Sequence, residues 1–343
     1  MNYQAHFEKK TFLFKQPSGT SRGVLTEKLA WFIYIKDQNG LEGVGECSII
    51  PGLSPDFSDF TSYESKVGEV CKEIAYFIDN QLDLILFPSV LFGLEQALLD
   101  LSSKRRGKTG IYYDTPFTRG EKGIPINGLI WMGSSKFMLD QIEEKLAAGF
   151  SCLKMKIGAI DFDEELKILK HIRDRFSVNQ IELRVDANGA FKPNEALEKL
   201  NRLSEFGIHS IEQPIASGQH IEMKRLCLQT PIPIALDEEL IGVDTIEEKR
   251  NLLSTILPQY IILKPSLHGG IVGSTEWINV SEEMHIPWWI TSALESNVGL
   301  NAIAQFASTF DNRLPQGLGT GGLYVHNEQT KLYINEGHLY LDN

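Results

Sequence analysis

The sequence predicts an α/β protein in which a TIM-like barrel of βα units follows an N-terminal α+β domain. Three observations carry this. From Ile124 onward a short apolar run repeatedly ends in polar residues, a helical stretch follows, and the next apolar run begins. Seven such runs within about 170 residues mark βα units around a parallel sheet, and an eighth strand would close a barrel. Before Ile124 the strand-like segments come first and the helical ones after, without alternation, which is α+β grammar. At 343 residues the chain is long enough for two domains at about 150 residues each.

Residues 1–122 open with the alternating segments FEKKTFLFKQ and LAWFIYIKDQ, and Asn39-Gly40 joins the second to LEGVGECSII. Asn-Gly between apolar runs signals a hairpin. Helical periodicity follows over roughly 59–80 and 89–104. Gly107 to Gly123 is rich in Gly, Thr and charge and reads as a linker. Residues 123–316 hold the runs IPINGLIWMG, FSCLKMKIG, IELRVDANG, IHSIEQPI, IPIALDEEL, QYIILKPSLHGG and IPWWITSALES. The eighth run is the weakest, with GLGTGGLYV at 317–325 as the candidate. Residues 317–343 are thus the last barrel strand and a tail, LYINEGHLYLDN, expected to return as two short strands to the first domain. A doubly wound open sheet is the competing arrangement, but no GxGxxG follows the first strand.

Composition narrows the partners. The formal charge is −12, which argues against a nucleic-acid groove or an anionic membrane surface. No apolar run approaches the roughly 20 residues that span a bilayer. Cys47, Cys71, Cys152 and Cys227 show no CxxC or Cys/His spacing, so they read as small buried hydrophobes in a reducing compartment. The N-terminus, MNYQAHFEKKTFLFK, lacks an apolar targeting core. The expectation is a cytoplasmic protein acting on a small molecule, with homo-oligomerisation left open.

Polar residues that a strand core would not choose stand near the end of almost every barrel strand: Lys154 and Lys156, Asp186, Glu212, Asp237, Lys264 and Glu295. The three acids are 26 and 25 residues apart, and Lys264 follows Asp237 by 27. Each spacing is one βα unit, so each residue takes the same place on successive strands, at the C-terminal mouth where barrel active sites are built. Neighbouring strands lie about 4.8 Å apart, so Asp186, Glu212 and Asp237 can converge on one cation. Three carboxylates without His or Cys suit a hard ion, Mg2+, with Mn2+ as the alternative. A single acid would read as the N-cap of the following helix; three in phase favour the metal.

Lys154 and Lys156 are two apart on a strand and face the same side. The outward face of a parallel barrel is covered by helices, where a buried Lys-x-Lys would be costly, so the pair points inward. A lysine base working at neutrality needs a pKa about three units lower, roughly 4 kcal/mol. One neighbouring ammonium about 4 Å away supplies about that much at an effective dielectric near 20. Lys154 is therefore expected to tune Lys156, while Lys264, four strands on, lies across the ring. A divalent metal facing two opposed lysines suits abstraction of the proton α to a carboxylate.

This pattern resembles the enolase superfamily over nearly the whole chain. KMK, VDANG, IEQP, LDEE and LKPS match the muconate-lactonising subgroup in order and spacing. The resemblance implies a modified (β/α)7β barrel under an N-terminal capping domain. Within the subgroup, TSRGVLTEK (20–28), GECSIIPGLSPD (45–56), INGLI (126–130) and GLGTGGLY (317–324) resemble the o-succinylbenzoate synthase family. The first two segments would be capping loops over the substrate.

That family resemblance implies a lyase (hydro-lyase) of menaquinone biosynthesis. It would dehydrate 2-succinyl-6-hydroxy-2,4-cyclohexadiene-1-carboxylate in the syn sense to o-succinylbenzoate. Lys156 would remove the α proton and return it to the departing hydroxyl, Lys264 would stabilise the enediolate, and Lys154 would tune Lys156. Asp186, Glu212 and Asp237 would hold Mg2+, with Asn188 and Glu238 behind them. Substrate contacts are expected from Arg184, Ser292, Glu295, Gly317 and Gly319, and from Thr20 and Arg22 on the capping loop. For Arg184 a structural ion pair is the equal alternative, and for the glycines turn geometry is. His268, four residues past Lys264, reads as loop. The competing activity is racemisation of N-succinyl amino acids, with Lys156 and Lys264 as opposed bases. A barrel kept only for binding would have lost a ligand or a lysine, and none is missing.

Overall fold

Continuous and alternating apolar patterns explain the first domain of the computed structural model, which describes residues 2–20 and 23–342. Strands β1 (Tyr3–Thr20), β2 (Gly23–Asp37) and β3 (Glu42–Ser48) form an antiparallel sheet in that order. In β2 the odd residues Trp31, Ile33 and Ile35 pack on helices α1 (Phe60–Lys72), α2 (Ile74–Asp79) and α3 (Pro88–Arg105). The even residues Ala30 and Phe32 pack the other way, with Trp131, Leu294 and Tyr324 of the barrel side. A strand covered on both faces has no polar stripe, which is why LAWFIYI reads as an unbroken apolar run. Between β2 and β3, Asp37 accepts the backbone N–H groups of Asn39 and Leu41 through its side chain, and Gly40 takes the positive φ the turn needs. Helix α3 lies so close to β3 that a Cβ on Gly45 would stand 1.9 Å from the Gly93 carbonyl oxygen. The helical stretch expected over 59–80 breaks at Glu73 into two helices.

The chain enters the second domain through β4 (Ile124–Pro125). There follow β5 (Gly128–Ile130), α4 (Ser135–Ala147), β6 (Cys152–Lys156), α5 (Phe162–Arg173), β7 (Glu182–Asp186) and α6 (Pro193–Ser204). Then come β8 (Ser210–Glu212), α7 (His220–Gln229), β9 (Ile234–Leu236), α8 (Ile246–Ile256), β10 (Tyr260–Leu263), α9 (Gly270–Glu283), β11 (Trp288–Ile290) and α10 (Asn297–Ala307). Strands β5 to β11 pair in parallel in sequence order. Closure comes from the weak eighth run: Gln316 bridges Ile126 and Gly317 bridges Thr291. This is the α/β (β/α)7β arrangement with an α+β domain before it.

The tail departs in part from expectation. Leu323 and Val325 do pair with Lys15 and Leu13 of the capping sheet. The last two strands, β12 (Leu332–Asn335) and β13 (His338–Leu341), instead dock on β4, with Leu339 opposite Ile124. Likewise residues 23–28, expected as a loop, are the start of β2. Among the described residues no helix is long and apolar enough to cross a membrane.

Candidate active site

Period-two alternation builds the mouth of the barrel. Leu153 and Met155 of β6, Leu183 and Val185 of β7, Ile234 and Leu236 of β9, and Ile261 and Leu263 of β10 face the helices in the main core. Their neighbours therefore face inward: Lys154 and Lys156, Asp186, Asp237 and Lys264. Glu212 ends β8 in register with Asp186. All six are buried.

Three lysines and three carboxylates interlock there. Lys154 Nζ is 3.0 Å from Asp186 Oδ2 and pairs closely with Glu212. Lys156 Nζ donates to the same Asp186 oxygen at 2.9 Å and to Asn188 Oδ1 at 2.8 Å. Lys264 pairs closely with Asp237 and stands 4.0 Å from Glu212 Oε1. Burial alone would raise Asp186, but the Lys154 and Lys156 ammoniums hold its carboxyl well below the usual range. Asp237 is lowered against burial by Lys264. Glu212 goes the other way, pushed well up by burial and by the charge on Asp186. Burial opposes the charge on Lys154 and Lys264, yet the facing carboxylates raise both.

The donor set fits a hard divalent ion. Asp237 Oδ1 and Glu212 Oε1 are buried and accept no hydrogen bond, which is costly unless a cation uses them. Each acid is turned to a lysine, so among the described residues no three acids, histidines or cysteines are gathered closely enough to grip an ion as they stand. The lysines act as internal counter-ions to the same charges.

Two residues that follow the acids are held in left-handed backbone, Asn188 at φ 44° and Gln213 at φ 39°. Such positions persist where the surroundings over-determine them. The Asn188 N–H donates to Asp186, and its side chain bridges Lys156 and Glu238. Gln213 was not singled out from sequence. Its amide donates to Glu239 at 3.0 Å and accepts the backbone N–H groups of Asp237 and Glu239. The EQ and DEE segments are thereby locked to one another. Its place beside Glu212 within the IEQP segment was the available signal.

Above this floor lies a cavity of about 390 Å³, lined by Lys154, Lys156, Lys264, Asp186 and Asn188 below. Its walls include Asn127, Trp131, Ser292, Thr320, Gly317 and Gly319, and its roof is Val24, Leu25, Ile50 and Leu53 of the capping domain. Lys156 and Lys264 stand on strands four apart in the ring and so face each other across it.

The remaining expected contacts divide. Ser292, Gly317 and Gly319 line the cavity. A Cβ on Gly317 would meet Thr291 Oγ1 at 2.3 Å, so barrel closure already requires glycine there. Arg184 does not line the cavity. It lies one layer deeper, donating to Glu182 and the Pro315 carbonyl with its guanidinium 4.3 Å from the Trp289 ring, which is the structural-ion-pair alternative. Glu295 does not line it either: fully buried, it accepts the hydroxyls of Ser266 and Ser292, both at 2.6 Å. Arg22 and the side chain of Thr20 lie outside the described residues. His268 is buried and accepts the Lys264 backbone N–H at 2.9 Å, and burial pulls its pKa down to about 3.

A family profile described as "Enolase C-terminal domain-like" matches residues 138–341. An o-succinylbenzoate synthase from Desulfotalea psychrophila is 46% identical over 96% of this chain and 97% of its own. The chain belongs to the o-succinylbenzoate synthase family of the enolase superfamily. The crystal structure of MenC from Desulfotalea psychrophila matches with a TM-score of 0.82 at 43% identity, covering 99% of this chain and 100% of that one. A dipeptide epimerase from Cytophaga hutchinsonii, solved with Mg and D-Ala-L-Val, shares the fold at a TM-score of 0.84 and 21% identity, over 99% of this chain and 94% of its own.

Proposed function

We propose that this chain dehydrates 2-succinyl-6-hydroxy-2,4-cyclohexadiene-1-carboxylate to o-succinylbenzoate, as a lyase of menaquinone biosynthesis. The observation that carries the reading is Lys156 facing Lys264 across one cavity, above three carboxylates, in a chain of this family. Lys156, as the free amine, takes the proton from the ring carbon that bears the carboxylate. The C–H electron pair becomes the new ring double bond as the neighbouring C–O bond breaks. The Lys156 ammonium gives the same proton to the departing oxygen, so water leaves from the face that was deprotonated and the lysine returns to its free form. Lys154, kept protonated by Asp186 and Glu212, shares the Asp186 carboxylate with Lys156 and holds a positive charge beside it. Lys264 presents an ammonium to the opposite face of the ring.

Asp186, Glu212 and Asp237 would hold Mg2+, or Mn2+ in its place, and Asn188, Glu238 and Gln213 keep these acids and their flanking backbone in place. When bound, the ion supplies a fixed dication that offsets charge developing on the substrate carboxylate. Ser292, Gly317 and Gly319 contribute to the wall that receives the succinyl arm. The four thiols are free and buried, which fits a reducing, cytoplasmic setting.

The test is loss of diene absorbance when purified protein meets this substrate with Mg2+. Turnover stopped by a chelator and by Lys156→Ala is expected. Racemisation of N-succinyl amino acids without dehydration would overturn the reading. Lys264→Arg separates the two chemistries: dehydration partly survives it, whereas racemisation loses proton exchange from one enantiomer alone.

A further inference from the structure

Lys28 takes no part in the chemistry above, yet it is buried on the barrel-facing side of β2, in line with Ala30 and Phe32. Its ammonium donates to the Ala293 carbonyl at 2.6 Å, and the carboxylates of Glu295 and Glu46 are its electrostatic partners. Burial pulls its pKa down to about 8 against those two acids. An ammonium kept out of water this way needs a positional reason.

The segment it grips supplies one. Residues 292–296 run from the end of β11 into α10, and Ser292, Ala293 and Leu294 line the cavity. Leu294 sits in left-handed backbone at φ 65°, so its conformation is imposed from outside. Three groups impose it besides Lys28. Tyr324 donates to the Leu294 carbonyl at 2.6 Å. Glu295 fixes the Ser292 hydroxyl, which in turn accepts from Thr320 at 2.9 Å. Glu46, on β3, accepts the Ser296 hydroxyl and the N–H groups of Ser296 and Gly299. The capping sheet therefore reaches through Lys28 and Glu46 into the loop that walls the cavity.

We infer that Lys28 is a positioning residue through which the capping domain shapes the Ser292–Leu294 wall, and with it the fit of the substrate's acyl arm. This deepens the proposed function and rests on it for the identity of the substrate. Lys28 stands outside the proton path, so its loss acts on substrate binding and leaves the chemical step alone.

The experiment uses the full chain as wild type, Lys28→Met, Lys28→Arg and Tyr324→Phe. KM and kcat for the cyclohexadiene carboxylate are measured, with Mg2+ affinity, melting temperature and amide hydrogen exchange over residues 290–300. For Lys28→Met, KM rises about tenfold with kcat within about twofold. Exchange in 292–295 quickens while Mg2+ affinity and melting temperature hold. Lys28→Arg recovers part of KM, and Tyr324→Phe gives a smaller shift of the same kind. A purely structural role would instead lower the melting temperature together with kcat, and that result overturns the inference. So does unchanged KM with unchanged exchange. If Lys28→Met does not fold, Tyr324→Phe decides by the same KM and exchange readouts. If wild type shows no turnover, the functional reading fails, while exchange alone still decides whether Lys28 holds the wall.

Discussion

At the floor of the cavity Lys154, Lys156 and Lys264 interlock with Asp186, Glu212 and Asp237, whereas the roof is Val24, Leu25, Ile50 and Leu53 from the capping domain. Floor groups come from strand ends at a fixed place in each βα unit, and each is fixed by at least one charged neighbour. Roof groups come from the start of β2 and from the loop after β3, and all four are apolar. Charge–charge energies change steeply with position in a buried site, and apolar contacts change gently. Damage to the floor is therefore expected to strike the chemical step and the metal, and damage to the roof to strike fit.

The largest effect belongs to the floor. Lys156→Ala removes the only group proposed to move the proton, and kcat is expected to fall about 10,000-fold, at the upper end of general acid–base contributions. Binding of o-succinylbenzoate, followed by calorimetry, is expected to stay within a few-fold. Equal loss of binding and turnover would break the division between floor and roof.

Behind the floor, His268 offers a test by pH. Burial holds its pKa near about 3, below the ordinary 6.5. As pH falls from 6.5 towards 3 the unfolded chain takes up a proton that the folded chain refuses, so stability is lost on acidification. The slope is at most about 1.4 kcal/mol per pH unit, which integrates to roughly 2 kcal/mol between pH 6.5 and pH 4.5. His268→Gln can still accept the Lys264 N–H and lacks this linkage. Urea unfolding at pH 7 and pH 4.5 is expected to show the variant gaining on wild type at the lower pH. Parallel acid losses in both proteins would count against a neutral, buried His268.

How much of this could be read from residues alone depends on where each partner comes from. Asp186, Glu212, Asp237 and Lys264 were legible because a two-residue alternation and a constant unit length fix their place without tertiary knowledge. Arg184 shares the inward face of Asp186 but sits two residues earlier, about 7 Å lower along the strand, and periodicity does not report depth. Glu295 looked like another strand-end acid, yet its partners Ser266 and Ser292 turn it away from the cavity. Lys28 and Ala293 are 265 residues apart, and nothing local marks the contact. The eighth strand was faint for a similar reason: Gly317, needed for close approach to Thr291, and the glycines after it erase the apolar run that announces a strand.

Gln213 tests whether the floor is held from behind. It binds Glu239 and the backbone N–H groups of Asp237 and Glu239. Gln213→Ala is expected to lower Mg2+ affinity 10- to 100-fold, the usual cost of losing a group that orients metal ligands. Titration of Mg2+ against melting temperature reads this without catalysis. Unchanged affinity would show that the strand ends alone place the acids.

The smallest effect is expected at the roof, and it sharpens the comparison most. Leu25 pairs across the hairpin with Ser18 and presents its side chain to the cavity. Leu25→Ala removes apolar contact from one side of the substrate while every floor group keeps its partners. A lost methylene-scale contact in an apolar pocket costs about 1–3 kcal/mol, and the roof retains Val24, Ile50 and Leu53, so the low end applies and KM is expected to rise about 5- to 10-fold. That contact exists equally in the bound substrate and the transition state, so kcat should not move. A fall in kcat at constant KM would mean that the roof also sets the alignment of the ring over Lys156, and the separation of fit from chemistry would then have to be abandoned.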